Sequence, residues 1–148
     1  MTLELLPADG AARETLHELL REAGLPTAGV GDGPGCFFLA VVDGETVGGG
    51  GVEPHGEAAL LRSVLVRPDC RGEGVGTALV GRLRDVAGAT DAEELWLLTE
   101  TAEPFFAGLG FETVPRGDAP PAVRASEEFA EVCGERAVCM TRPLGGND

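Results

Sequence analysis

Between Leu60 and Val80 the chain reads LLRSVLVRPDCRGEGVGTALV, and this stretch constrains the fold more than any other. An apolar run, Leu60 to Val66, halts at Arg67-Pro68-Asp69. Arg71-Gly72-Glu73-Gly74-Val75-Gly76 follows, then an apolar stripe at helical spacing: Val75, Leu79, Leu83 and Val86. The pattern predicts a strand, a glycine-rich turn and a helix. Such a turn aims several backbone N–H groups at one point, and the positive end of the helix dipole adds to them. It makes a place for a pyrophosphate built from backbone rather than from lysines.

Two other nucleotide motifs fail here. The dinucleotide fingerprint G-x-G-x-x-G needs glycine where Thr77 stands, and the P-loop needs a lysine, which this chain lacks. The net charge of −14 comes from 25 Asp and Glu against 11 basic residues, every one of them Arg. That balance argues against nucleic acid and anionic membranes as partners. An acidic, lysine-free surface fits a halophilic source with a salt-rich cytoplasm. GC-rich codon usage, the alternative, explains Arg, Ala and Gly better than it explains the acidity. No run approaches the roughly 20 apolar residues of a membrane span, and MTLELLPADG lacks the pattern of a signal peptide, so a soluble cytoplasmic protein is expected. Cys36, Cys70, Cys133 and Cys139 form no C-x-x-C pair and, with only His17 and His55, give no metal-ligand pattern. Cys70, beside the glycine turn, is either a reactive thiol or a small filler.

At 148 residues a single domain with one real core is expected, residues 1–144, followed by a disordered tail at 145–148. Strands are predicted at Thr2–Leu6, Cys36–Val42, Glu45–Glu53, Glu57–Val66, Glu94–Leu98, Phe111–Val114 and Ala137–Thr141. Helices are predicted at Ala8–Ala23, Gly74–Ala87, Ala102–Leu109 and Val123–Cys133. Asp43-Gly44 and Pro54-His55-Gly56 read as turns, and Pro26–Gly35 and Pro115–Pro121 as loops. Gly48 to Gly51, four glycines within a strand, mark either room for a ligand or a bulge. The order is β-α, an antiparallel meander of three strands, then α-β-α-β and a final strand, an α+β (mixed α/β) domain.

The glycine turn matches R/Q-x-x-G-x-G/A. A second pattern, Thr99-Glu100-Thr101-Ala102-Glu103-Pro104-Phe105-Phe106-Ala107-Gly108-Leu109-Gly110-Phe111, resembles N-x-x-A-x-x-x-Y-x-x-x-G-F, with Thr99 at the Asn position and Phe106 at the Tyr position. With both motifs in this order, the chain resembles the GNAT superfamily of acyl-CoA-dependent N-acetyltransferases over nearly its whole length. Within the superfamily, LLTETAEPFFAGLGF and EEFAEVCGERAVCMTRPL most resemble amino-acid N-acetyltransferases, including glutamate-type and arsenic-resistance enzymes.

The resemblance implies a mixed, mostly antiparallel sheet of about six to seven strands flanked by helices. It implies acetyl-CoA as cosubstrate and no metal. Backbone N–H groups of Arg71, Gly72, Glu73, Gly74, Val75, Gly76 and Thr77 would hold the pyrophosphate, with Arg71 adding a charge. The strands Leu60–Val66 and Glu94–Leu98 would splay around the pantetheine arm, placing Val64, Leu65 and Val66 beside it, with Thr99 and Phe106 from the second motif.

Acetyl transfer needs a neutral amine, and a lysine-like amine costs about 4.6 kcal/mol to deprotonate at pH 7. A carboxylate usually serves as base; Glu53, Glu57 and Glu100 are the candidates, each otherwise a solvated surface charge. In many relatives a Glu stands about where Ala58 or Leu60 lies. The family's thiolate-protonating Tyr is replaced by Phe106, in a chain without Tyr. Arg62, inside an apolar strand, either clamps a substrate carboxylate or pairs with Glu53 or Glu57. Strand parity predicts Leu60, Arg62, Val64 and Val66 on one face and Leu61, Ser63 and Leu65 on the other. Ser63, Arg124 and Arg116 are further candidates for the acceptor side. The expected acceptor is a small amine, an acidic amino acid or an analogue of one. The alternatives are a protein N-acetyltransferase or a non-catalytic acyl-CoA sensor. An exposed sheet edge would support a homodimer.

Overall fold

Successive side chains of a strand point to opposite faces, and the run Ala58-Ala59-Leu60-Leu61 uses both: Ala58 and Leu60 enter one apolar core, Ala59 and Leu61 the other. The computed structural model describes residues 2–25, 35–72, 74–100, 102–126, 129 and 137–144. Its elements are β1 (Leu3–Pro7), α1 (Ala11–Glu22), β2 (Cys36–Val42), β3 (Glu45–His55), β4 (Ala58–Val66), α2 (Val75–Gly88), β5 (Glu94–Thr99), α3 (Glu103–Ala107), β6 (Glu112–Val114), α4 (Pro121–Arg124) and β7 (Val138–Pro143). The strands form one seven-stranded sheet in the order β1-β2-β3-β4-β5-β7-β6. Every pairing is antiparallel except β4 with β5. This is the mixed α+β fold expected, with β1 and β6 at the edges.

On one face α2 packs Leu79, Val80 and Leu83 against Val52, Leu61, Leu95 and Leu97. On the other, α1 places Leu16, Leu19 and Leu20 against Phe37, Leu39 and Leu65. Beside α1, Val123 of α4 covers Leu60, Trp96 and Leu98. No described helix is long and apolar enough to cross a membrane.

Packing explains the glycine run in β3. A Cβ on Gly48 would stand 2.1 Å from the Leu65 carbonyl oxygen. One on Gly49 would stand 2.7 Å from Leu16 Cδ1, one on Gly50 2.9 Å from Leu83 Cδ1, and one on Gly51 2.3 Å from Phe37 Cδ1. The space is filled by protein on both faces, so the run holds no room for a ligand. A bulge does occur there: Gly49 pairs with Leu65 and Gly51 with Arg62, leaving Ser63 and Val64 opposite Gly50. Ser63 takes a positive φ of 60° to make it.

The bulge corrects the expected parity of β4. Arg62 shares a face with Leu60, but Val64 and Val66 pack on the α2 face with Leu61, and Leu65 on the α1 face. β3 also runs through Pro54 and His55, and its hairpin turns at Gly56-Glu57 instead. β2 ends opposite Val52, so this end of β3 has a partner on one side only, where a proline lacking its N–H is tolerated. Of the helix expected at Val123–Cys133, the described residues show a one-turn helix at Pro121–Arg124 and a helical Phe129; residues 127, 128 and 130–133 of that expectation lie outside the described residues, as do the tail at 145–148 and most of the loop Pro26–Gly35. The loop Pro115–Pro121 contains a short 3-10 turn at Arg116–Asp118.

Candidate active site

β4 and β5 pair at only three positions, Ala58 with Glu94, Ala59 with Leu95 and Leu60 with Trp96. β4 continues to Val66 and β5 to Thr99, and beyond Leu60 and Trp96 no ladder pairing joins them. β5 keeps its other partner, β7, along its whole length. The bulge at Ser63 adds local twist where the strands part. The result is a wedge-shaped gap lined on one side by the backbone of Val64, Leu65 and Val66.

At the open end of this gap β4 passes through a 3-10 turn, Pro68–Cys70, into the glycine turn. Gly72 and Gly74 have φ of 84° and 80°, a conformation glycine adopts without strain. Gly74 caps α2 with no side-chain hydrogen bond, and the first turn of the helix carries no acidic residue. The N–H groups of Val75, Gly76 and Thr77 therefore meet no competing side-chain cap, and the 14-residue helix adds its dipole. A Cβ at Gly72 or Gly74 would meet no atom of the described residues within 4 Å, so they leave the cradle open. These residues fit a pyrophosphate. Glu73 lies outside the described residues. Arg71 donates from Nε to the Val66 carbonyl at 3.1 Å, tying the turn to the strand end.

The second motif divides its labour. Thr99 Oγ1 accepts the Ala102 N–H at 3.1 Å and starts α3. Phe106 is buried in an edge-to-face stack with Phe105 and Phe111, at 5.0 and 5.5 Å, and belongs to the core. Phe105 is exposed and lies against Gly76.

The three carboxylate candidates separate. Glu100 is exposed at the bend after β5. Glu57 is exposed in the hairpin turn, at the opposite end of β4 from the glycine turn, which over a nine-residue strand is roughly 30 Å. Glu53 is 4% exposed, and both its oxygens are engaged: Oε2 accepts from Arg62 Nη1 at 3.1 Å, and Oε1 lies 2.9 Å from His55 Nε2. Arg62 is 2% exposed, and its guanidinium carbon sits 5.6 Å from the centre of the Phe37 ring. Arg62 thus meets Glu53, one of the two carboxylates the sequence offers it. The ring reaches this place because Gly51, opposite Arg62 on β3, has no side chain. Arg124 is exposed on α4, Arg116 donates from Nη2 to the Ala137 carbonyl at 3.0 Å, and Ser63 forms the bulge.

His55 was not a candidate from the sequence. Two positions from Glu53 in a strand, it falls on the same face; Pro54 between them disguised the strand as a turn. Its side chain is 15% exposed, and with Glu57, Ala58, Glu94 and Pro121 it lines a cleft of ≈ 360 Å³. Cys70 is buried, and burial, together with Asp69 and Glu45, pushes its thiol up, so it is a filler and not a reactive thiolate.

The acetyltransferase (GNAT) domain model matches residues 33–113, more than half of the chain. No curated protein matches the sequence. Among solved structures, N-acetylglutamate synthase from Neisseria gonorrhoeae, complexed with coenzyme A and N-acetyl-glutamate, is similar at a TM-score of 0.81 and 18% identity. That match covers 98% of this chain and 36% of the synthase, so the chain spans about a third of that protein's length. An acetyltransferase of the GNAT family from Staphylococcus aureus aligns at 0.77 and 17% identity over 97% of this chain and all 100% of its own. Rv2747 from Mycobacterium tuberculosis, in a complex that includes CoA, aligns at 0.77 and 20% identity, covering 98% and 100% of the two chains. With the glycine turn, the parted strands and this family match together, the chain belongs to the GNAT acetyltransferase family.

Proposed function

We propose that the chain transfers acetyl from acetyl-CoA to the amino group of a small amino acid or amino-acid analogue, glutamate-like in character. The glycine turn opening directly onto the gap between β4 and β5 carries the donor half of this reading. Gly72, Gly74 and the first N–H groups of α2 would hold the pyrophosphate. The backbone of Val64 to Val66, left without a ladder partner on the β5 side, would pair with the pantetheine arm. Thiolate departure is undemanding, since a free thiol has a pKa of about 8.5 and the sulfur can take a proton from water or from the acceptor ammonium. Phe106, at the place of the family's Tyr, contributes packing only.

The acceptor half is supported by Arg62, two residues past the last pairing of β4 with β5, and by the likeness to a synthase whose complex contains N-acetyl-glutamate. A second reading, an uncharged or peptide amine as acceptor, is favoured by the Arg62–Glu53 pair, which already matches the arginine's charge. Thiol release from acetyl-CoA across glutamate, neutral amino acids, glutamate-like phosphinic and arsenic compounds, polyamines and peptides separates them. Turnover with an acidic amino acid that Arg62→Met abolishes, while CoA still binds, supports the first. Turnover restricted to peptides establishes the second. Acetyl-CoA binding with no turnover for any amine makes the chain a sensor.

A further inference from the structure

We propose that Phe105 is a coenzyme-contacting residue whose open face packs on the two methyl groups of the pantoate segment, between the pyrophosphate and the amides of the pantetheine arm. The proposal rests on the donor half of the acetyl-transfer reading above. Phe105 is 37% exposed, the only exposed Phe or Trp among the described residues. An apolar ring left in water forgoes the stabilisation that covering it would bring. What sets this ring apart is its place. Its Cζ and Cε1 stand 3.1 and 3.4 Å from the point that a Cβ on Gly76 would occupy, and Val66 Cγ2 stands 3.7 Å from the same point.

Gly76 belongs to the first turn of α2, and the Cα–Cβ bonds of a helix tilt toward its N-terminus. The ring therefore meets α2 on the cradle's side of Gly76, beside the N–H groups of Val75, Gly76 and Thr77. Val66 is the last residue of β4, at the mouth of the gap between β4 and β5. A ligand running from the cradle into the gap crosses the place where ring, helix turn and strand end meet. In coenzyme A the piece that makes this crossing is the pantoate, a quaternary carbon with two methyl groups directly after the phosphates. Small-molecule sites join apolar walls to a few placed polar groups. Here backbone N–H groups take the anion, and Phe105 with Val66 takes the methyls.

Two neighbours hold the ring in place. Buried Phe106 stacks on it edge to face at 5.0 Å and 70°. Gly76 leaves it room. The φ of Gly76 is not positive, so the backbone does not demand glycine there, and a helix favours Ala. The last position of the first motif takes Gly or Ala, and a methyl group at that position would strike the ring.

The test is a cycle of two proteins and two ligands. Wild type and Phe105→Ala are each titrated by calorimetry with CoA and with a CoA analogue whose pantoate lacks both methyls. Phe105→Ala should bind CoA about 10–15-fold more weakly, the effect of two methyl groups left in water. Wild type should bind the analogue more weakly than CoA by about the same factor, and Phe105→Ala should bind the two alike. In turnover, Phe105→Ala should raise KM for acetyl-CoA with kcat unchanged, as when binding common to ground and transition states is lost. Equal loss with both ligands puts the ring against another part of CoA, the adenine included, and overturns the proposal. Unchanged affinity of Phe105→Ala for CoA also overturns it. So does a wild type that fails to distinguish the two ligands, a measurement that needs no variant to fold. In each of these cases CoA binding still stands. A wild-type protein that binds no CoA overturns this proposal and the acetyl-transfer reading together.

Discussion

Arg62 and Glu53 form an ion pair whose side chains are 1% and 5% exposed, and its removal has a sign and size that follow from that burial. Glu53→Ala leaves a guanidinium inside the sheet without its carboxylate. Breaking a buried pair from one side costs about 3–5 kcal/mol, because the remaining charge is not resolvated. Arg62→Met is milder, because His55 remains 2.9 Å from Glu53 as a partner for the carboxylate. The double variant Glu53→Leu, Arg62→Met removes both charges and fills their volume, and such replacements are about neutral or stabilising. The order of stability is therefore double variant, then Arg62→Met, then Glu53→Ala. Equilibrium unfolding in guanidinium chloride gives each free energy from midpoint and slope. Against a total of about 5–15 kcal/mol for such a domain, the Glu53→Ala loss is large. At about 2–4 °C per kcal/mol it corresponds to a melting point roughly 6–20 °C lower. A Glu53→Ala protein within about 1 kcal/mol of wild type, or a double variant worse than the sum of the singles, would show that the charges are solvated and refute the reasoning.

Four further outcomes are expected. Gly74→Ala places a Cβ at φ 80° facing no atom of the described residues within 4 Å, so it should cost roughly 1–2 kcal/mol in unfolding while weakening CoA binding measured by calorimetry more than that strain accounts for. Gly48→Ala drives its Cβ to 2.1 Å from the Leu65 carbonyl, a backbone atom that cannot step aside; folded yield and circular dichroism should show loss of the native sheet, more than the 1–3 kcal/mol of ordinary overpacking. Burial pushes the Cys139 thiol up to about 11, whereas an unfolded thiol titrates near 8.5; stability should hold below about pH 8.5 and fall as pH rises toward 11, and Cys139→Ala should remove that share of the fall. With a net charge of −14, melting temperature should rise between about 0.1 and 1 M KCl, as the Debye length shrinks from about 10 to 3 Å; a flat or falling curve would argue for codon usage over halophily.

Local signals made much of this fold legible in the sequence. The Asp43-Gly44 hairpin and the glycine turn with its helical stripe each depend on residues close in sequence, and they appear where those residues predict. The features that escaped depend on distant partners. Ser63 adopts a left-handed conformation that nothing in serine favours; the crowding of Gly48 to Gly51 against Leu16, Leu83 and Phe37 accompanies it. That single bulge moves Val64 and Val66 to the other face, which no alternation count detects. His55 was hidden because Pro54 usually ends a strand, and here β2 has already ended. Glu53 and Arg62 were both legible as candidates, but their mutual burial is a property of the register between β3 and β4.

The parting of β4 from β5 also makes this the seam along which the sheet opens most readily. Amide hydrogens on the facing edges of Leu61–Val66 and Leu97–Thr99 lack the cross-strand ladder that protects the rest of β5 through β7. They should exchange with solvent faster than their burial suggests, and in a contiguous block. A ligand arm seated between the strands supplies the missing partners, so it acts as an eighth strand and raises global stability by RT ln(1 + [L]/Kd). Exchange slowed at the seam and nowhere else would make the cosubstrate a structural element of the sheet as well as the donor of its acetyl group.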